Sequence, residues 1–139
     1  MMVESLGVDI IEIERLRQAL RRRPRLAERL FTARERALCQ QRADPAPCYA
    51  ARFAAKEATA KAVGRWLRWH EVEVQTEPSG RPRLALAGEA ARLAHLDEGA
   101  QLLVSLSHSR DHAIAVVALV SPAARPELPP GAAPPGVWT

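Results

Sequence analysis

Asp9 and Glu57 are the residues of this 139-residue sequence best suited to chemistry. Asp9 lies in Gly7-Val8-Asp9-Ile10-Ile11-Glu12, near the end of an apolar opening. Glu57 lies in Arg52-Phe53-Ala54-Ala55-Lys56-Glu57-Ala58, inside a helical pattern dense in basic residues. Two such carboxylates admit two readings. Each can be an ordinary solvated or salt-bridged group, or the two can share a hard cation. Magnesium suits the second reading, because it keeps several waters and takes only one or two protein carboxylates plus substrate phosphates. The pair is too small for a calcium cage and lacks the histidines and thiolates of a zinc site. Arg52, Lys56 and Lys61 can simply solubilise their helix. Alternatively they can grip phosphate, Arg as a forked donor and Lys as a point charge. His108, after Ser105-Leu106-Ser107, reads as structural when taken alone.

The elements that must position these groups follow from periodicity. Val3 to Ile10 alternates as a strand, with Leu6, Val8 and Ile10 expected on the buried face and Ser5, Gly7 and Asp9 on the other. Gly7 leaves room on the Asp9 face for a ligand or another backbone. Glu12 to Arg23 is predicted helical, with a stripe of Ile13, Leu16 and Leu20 and with Arg15, Arg17, Arg21 and Arg22 elsewhere. Pro24 interrupts it, and Leu26 to Leu30 resumes. Thr32-Ala33-Arg34-Glu35 reads as a capping box opening a helix to about Gln41. Asp44-Pro45-Ala46-Pro47 reads as a loop. An alanine-rich helix is predicted from Tyr49 to Val63, stopped by Gly64. Glu71 to Gln75 is a half-buried strand, Glu77 to Gly80 a turn, and Leu84 to Leu86 a short returning strand. A small helix spans Gly88 to Leu96. Gln101 to Ser107 and His112 to Val120 form a hairpin. The pattern is that of one domain of strands and helices over residues 1–120, followed by a proline-rich tail over 121–139 that is expected to lie outside the fold.

Composition bounds the partners. With 47% hydrophobic residues the chain can bury a core, and its net charge of +4 favours anionic partners. Cys39 and Cys48 form no metal-ligand spacing and read as reduced thiols rather than as a disulfide framework. No signal peptide or membrane-spanning segment is predicted, so a cytoplasmic protein without membrane contact is expected. The first-helix arginines can be a solvated face, a nucleic-acid contact or a dock for an acidic protein. No stacking aromatics interleave with them, which argues against a single-strand platform. There is no P-loop, no dinucleotide fingerprint and no nucleophile elbow.

Taken together, these segments resemble the holo-acyl-carrier-protein synthases, the small 4′-phosphopantetheinyl transferases. The resemblance rests on Gly7-Val8-Asp9-Ile10 with Glu12 and Arg15, on Arg52-Phe53-Ala54-Ala55-Lys56-Glu57-Ala58 with Lys61-Ala62 and Gly64, on Gly80-Arg81-Pro82, and on Ser105-Leu106-Ser107-His108. It implies an α+β fold, an antiparallel sheet packed with helices, assembled as a homotrimer with active sites at subunit interfaces. It implies transfer of 4′-phosphopantetheine from coenzyme A to a serine of an acidic acyl carrier protein, releasing adenosine 3′,5′-bisphosphate, with no nucleic-acid partner. By the same resemblance Asp9 and Glu57 hold Mg²⁺, and Glu57 and Lys61 are catalytic. Arg52, Lys56, Lys61, Gly64 and His108 contact coenzyme A, while Arg15, Arg21, Arg22 and Arg25 meet the carrier. Arg65-Trp66-Leu67-Arg68-Trp69 stands where the family has a threonine- and glycine-containing loop. A basic nucleic-acid-binding module is the competing class, and its affinity would fall steeply with salt.

Overall fold

In the computed structural model residues 1–122 are described, so nearly all of the proline-rich tail lies outside the described residues. Strand β1 (Met2–Glu12) pairs antiparallel with β5 (His112–Ser121), and β5 pairs antiparallel with β4 (Gln101–His108), in the order β1-β5-β4. A second antiparallel pair is formed by β2 (Val72–Thr76) and β3 (Pro82–Leu86). Helices α1 (Ile13–Arg22), α2 (Leu26–Leu30), α3 (Ala33–Gln40), α4 (Ala46–Val63) and α5 (Gly88–Leu93) complete the chain, with 3₁₀ turns at Trp69–Glu71 and Leu96–Glu98. The fold is α+β, as expected.

Helix α4 lies across β1 and β5 and organises the molecule. Alanine favours the helix and also lets it sit close to the sheet. Ala50, Ala54, Ala55 and Ala58 are fully buried. The approach is tight at Gly7, where an added Cβ would lie 1.9 Å from the Ala58 carbonyl oxygen and 2.8 Å from the Ala62 nitrogen. The room left by Gly7 is therefore filled by the α4 backbone. Ser5 Oγ also donates to the Ala62 carbonyl. The helix ends at Gly64, whose φ of 81° favours glycine. It begins at Ala46, three residues before the expected start, because Pro47 occupies the first turn, where its missing N–H removes no intrahelical bond.

Three further expectations are corrected. Leu6, Val8 and Ile10 are not the buried face of β1; they are 66%, 54% and 61% exposed. The α4 side of the strand carries Gly7, Asp9 and Ile11 instead, because Gly7 admits the helix backbone on that side. The helix expected over Gly88 to Leu96 stops at Leu93, with His95 in the left-handed region at φ 59°. Cys39 and Cys48 form a disulfide rather than remaining reduced. The chain reversal between α3 and α4 brings their Cα atoms to 5.4 Å, a proximity that no spacing motif announces. Among the described residues no helix is long and apolar enough to cross a membrane.

Candidate active site

β1 and α4 bring the two carboxylates together at one end of a cavity of about 610 Å³, lined by both Asp9 and Glu57. Asp9 is carried on the α4-facing side of β1. Glu57 and Lys61, one turn apart on α4, meet it there. Lys61 Nζ donates to Asp9 Oδ1 and to the Val8 carbonyl, each at 3.0 Å. Asp9 Oδ2 is buried and has no hydrogen-bond partner. Burial raises the Glu57 carboxyl pKa, and the nearby charge of Asp9 raises it further, against the opposing effect of Lys61.

An orphaned carboxylate oxygen beside a second carboxylate held at raised proton affinity fits a divalent cation. The same donor set is too small for a complete protein cage: among the described residues no group of three or more His, Cys, Asp or Glu side chains could hold a metal. This suits magnesium, whose remaining ligands come from water and substrate phosphate.

The raised Glu57 pKa has a definite sign for stability. Between the ordinary glutamate range and the raised value, the folded chain binds more protons than the unfolded chain. Stability therefore falls as pH rises through that window. In metal-free buffer near pH 7, Glu57→Gln is expected to melt above wild type, whereas below about pH 4 the difference disappears. Melting curves of both proteins in the presence of a chelator check this.

The far wall of the cavity is apolar. Phe53 and Trp69 stack there with ring centroids 5.4 Å apart, and Leu16 of α1 and Leu26 and Leu30 of α2 face them. Arg15 also lines this cavity, so one of the first-helix arginines shares it with the carboxylates. Arg15, Arg21, Arg22 and Arg25 are exposed and make no salt bridge among the described residues, unlike Arg17, which pairs with Glu14 and Asp44.

Arg52 and His108 line a separate pocket of about 490 Å³ that shares no residue with the first cavity. Arg52 and Glu57 are five residues apart, roughly 140° around the helix. Arg52 is buried, and its guanidinium donates only to neutral groups: the Cys48 carbonyl at 3.3 Å, Cys48 Sγ at 3.2 Å and Thr76 Oγ1 at 3.5 Å. Its Nε has no partner. A buried cation with no carboxylate of its own, at the wall of a pocket, is suited to an anion. Arg42 and Thr76 line the same pocket and were missed in the sequence, since neither sits in a local motif.

Lys56 belongs to neither cavity. It is 2% exposed and forms a salt bridge with Glu35, itself 1% exposed, at 2.7 Å. The helix turn that brings Glu57 to the cavity drives its neighbour into the core, so the three Lys56 N–H donors are taken up within this chain rather than directed at either cavity. Gly64 faces open space at the end of α4. Of the two tryptophans flanking Leu67, Trp69 packs on Phe53 whereas Trp66 is 71% exposed.

A sequence model of the 4′-phosphopantetheinyl transferase superfamily matches residues 5–117. A holo-[acyl-carrier-protein] synthase of Desulforudis audaxviator (strain MP104C) is 45% identical over 125 residues, which cover 87% of this chain and 95% of the relative. The crystal structure of a holo-(acyl-carrier-protein) synthase from Bacillus anthracis in complex with CoA (3′,5′-ADP) superposes with a TM-score of 0.73 at 31% identity, covering 88% of this chain and all of that one. The holo-[acyl-carrier-protein] synthase of Neisseria meningitidis superposes with a TM-score of 0.77 at 28% identity, covering 86% of this chain and all of that one.

Proposed function

The chain belongs to the 4′-phosphopantetheinyl transferase superfamily, and from that membership we propose that it is a holo-[acyl-carrier-protein] synthase. It moves 4′-phosphopantetheine from coenzyme A to a serine of an acidic apo-acyl carrier protein and releases adenosine 3′,5′-bisphosphate. The observation that carries this reading is the meeting of Asp9, Glu57 and Lys61 at the mouth of a cavity walled by Arg15. Asp9 and Glu57 hold Mg²⁺, which when bound neutralises charge on the donor diphosphate. Lys61 has three N–H donors. Two are directed at Val8 and Asp9, and the third is free to steady the departing phosphate. Glu57, which lines the cavity beside Asp9, is the carboxylate placed to receive the serine proton. The carrier docks on Arg15, Arg21, Arg22 and Arg25, with an apolar side chain entering the cavity between α1 and α2.

Arg52 and His108 bind coenzyme A phosphate in their own pocket, joined by Arg42. Because that pocket and the carboxylate cavity are separate within one chain, the two halves of the site unite across protomers. The outer sheet face supports such an assembly. Leu6, Val8 and Ile10 of β1, Val116 of β5 and Leu103 of β4 form an exposed apolar surface, and an uncovered surface of this kind marks an interface. The homotrimer covers it. Leu6→Arg with Ile10→Arg is expected to give monomers by light scattering and to abolish transfer. A wild-type protein that is monomeric at working concentration would contradict the split site.

The function is tested by incubating the protein with coenzyme A, Mg²⁺ and an apo carrier protein and reading the carrier by mass spectrometry. A serine-linked phosphopantetheine is the expected product. An unmodified carrier, together with salt-sensitive binding of nucleic acid, would favour the competing class instead.

A further inference from the structure

Helix α4 must present groups in two directions, Glu57 and Lys61 toward β1 and Arg52 toward Thr76. Its buried face is mostly methyl groups, with Ala50, Ala54, Ala55 and Ala58 fully enclosed. Helix faces key together through ridges and grooves, and alanine ridges are shallow. They set how near the helix lies but resist its rotation weakly. Gly7 likewise sets distance.

The Cys39–Cys48 disulfide and the Ser5 bond to the Ala62 carbonyl hold the two ends of the helix, and the buried directional contact beside Glu57 is Lys56. Its Nζ has three N–H donors and three acceptors: Glu35 Oε1 at 2.7 Å, the Trp69 carbonyl at 2.8 Å and the Val72 carbonyl. Every acceptor sits outside α4. Glu35 is itself fixed from two sides, accepting from the Thr32 N–H at 3.0 Å through Oε1 and from the Val74 N–H at 2.9 Å through Oε2. A buried ion pair is a weak source of net stability compared with apolar packing of the same volume, so stability alone does not account for it. Its geometry does: one ammonium ties α4 to the cap of α3, to the 3₁₀ turn and to β2. Glu57 is the next residue along. The Trp69 ring, whose carbonyl Lys56 holds, stacks on Phe53 in the wall of the cavity that Glu57 lines.

We infer that Lys56 and Glu35 are positioning residues of the transfer reaction, a buried pin that fixes the rotation of α4 and so aims Glu57 at Asp9. The inference rests on the reading that Asp9 and Glu57 form the cation site. Two variants test it. Glu35→Gln keeps the shape and an amide oxygen for Thr32 while removing the charge and setting an amide NH2 against the Val74 N–H, which loosens the pin at β2. Lys56→Met with Glu35→Gln removes the ammonium contacts without leaving a buried carboxylate unpaired. For each, Mn²⁺ binding is titrated by electron paramagnetic resonance, and kcat and KM are measured well below the melting temperature.

The folded variants are expected to bind Mn²⁺ about tenfold more weakly and to lose about tenfold in kcat, a misplacement effect. KM for the carrier stays within about twofold because the charged dock, Arg15 to Arg25, lies on α1 and at the start of α2 rather than on α4, and excess Mg²⁺ recovers most of the lost rate. Wild-type Mn²⁺ affinity and kcat in a folded variant, with only the melting temperature lowered, would overturn the inference. Should the double variant fail to fold, Glu35→Gln alone gives the same decision. Failure of the wild type to bind Mn²⁺ would instead remove the cation site, a separate outcome.

Discussion

Asp9→Ala is expected to lower the transfer rate by about a thousandfold or more, the scale of losing an electrostatic anchor at a phosphoryl centre. The melting temperature should stay within about 3 °C of wild type, a difference of about 1 kcal/mol or less for a domain of this size. The contrast follows from the local contacts. Asp9 is joined only to Lys61, whose side chain is half exposed and keeps the Val8 carbonyl as a partner after the substitution. The other Asp9 oxygen has no partner, so its loss breaks no hydrogen bond. Removing the Asp9 charge also relieves one of the two influences that raise the Glu57 pKa. Purified Asp9→Ala that modifies a carrier at near the wild-type rate would reject the assignment.

Gly7→Ala is expected to be the most damaging small substitution in the chain. The new methyl would sit 1.9 Å from the Ala58 carbonyl oxygen, inside any allowed contact, and the obstacle is backbone rather than a movable side chain. Relief requires α4 to move away from β1. Overpacking of this kind costs about 3 kcal/mol, or roughly 10 °C in melting temperature. Any protein that still folds carries Glu57 on a displaced helix, and a shift near 1 Å is expected to reduce turnover about a hundredfold. Ser5→Ala, which removes one hydroxyl bond to the same helix, is the mild control. Equal melting temperatures for Gly7→Ala and wild type would show that β1 and α4 do not approach as described.

Much of this architecture was legible before any coordinates. Thr32 and Glu35 announced their capping box, and both of its hydrogen bonds are present. The alanine run announced α4, and Gly7 announced a close approach on the Asp9 face. What was not legible required knowledge of which surfaces meet. Alternation in β1 separates two faces but does not say which one a helix covers, so Leu6, Val8 and Ile10 were assigned to the wrong side. Lys56 lies one turn from Arg52, and that spacing suggested a shared phosphate grip. Its true partner, Glu35, lies on another helix and carries no positional signal. Glu35 also looked fully explained by its capping role, although its second oxygen reaches β2. The Cys39–Cys48 pairing and the addition of Arg42 to the Arg52 pocket depend on the turn between α3 and α4, where Pro47 starts a helix instead of ending a loop.

The claim on which the catalytic proposal depends is that Asp9 and Glu57 hold one divalent cation facing the donor diphosphate. Titrating the protein with Mn²⁺ and following the free ion by electron paramagnetic resonance tests it most directly. One ion per protomer is expected in the wild type, bound more tightly once coenzyme A is added, with the site lost in both Asp9→Ala and Glu57→Gln. Binding that is unchanged in those two variants, or no binding even with coenzyme A present, would contradict it.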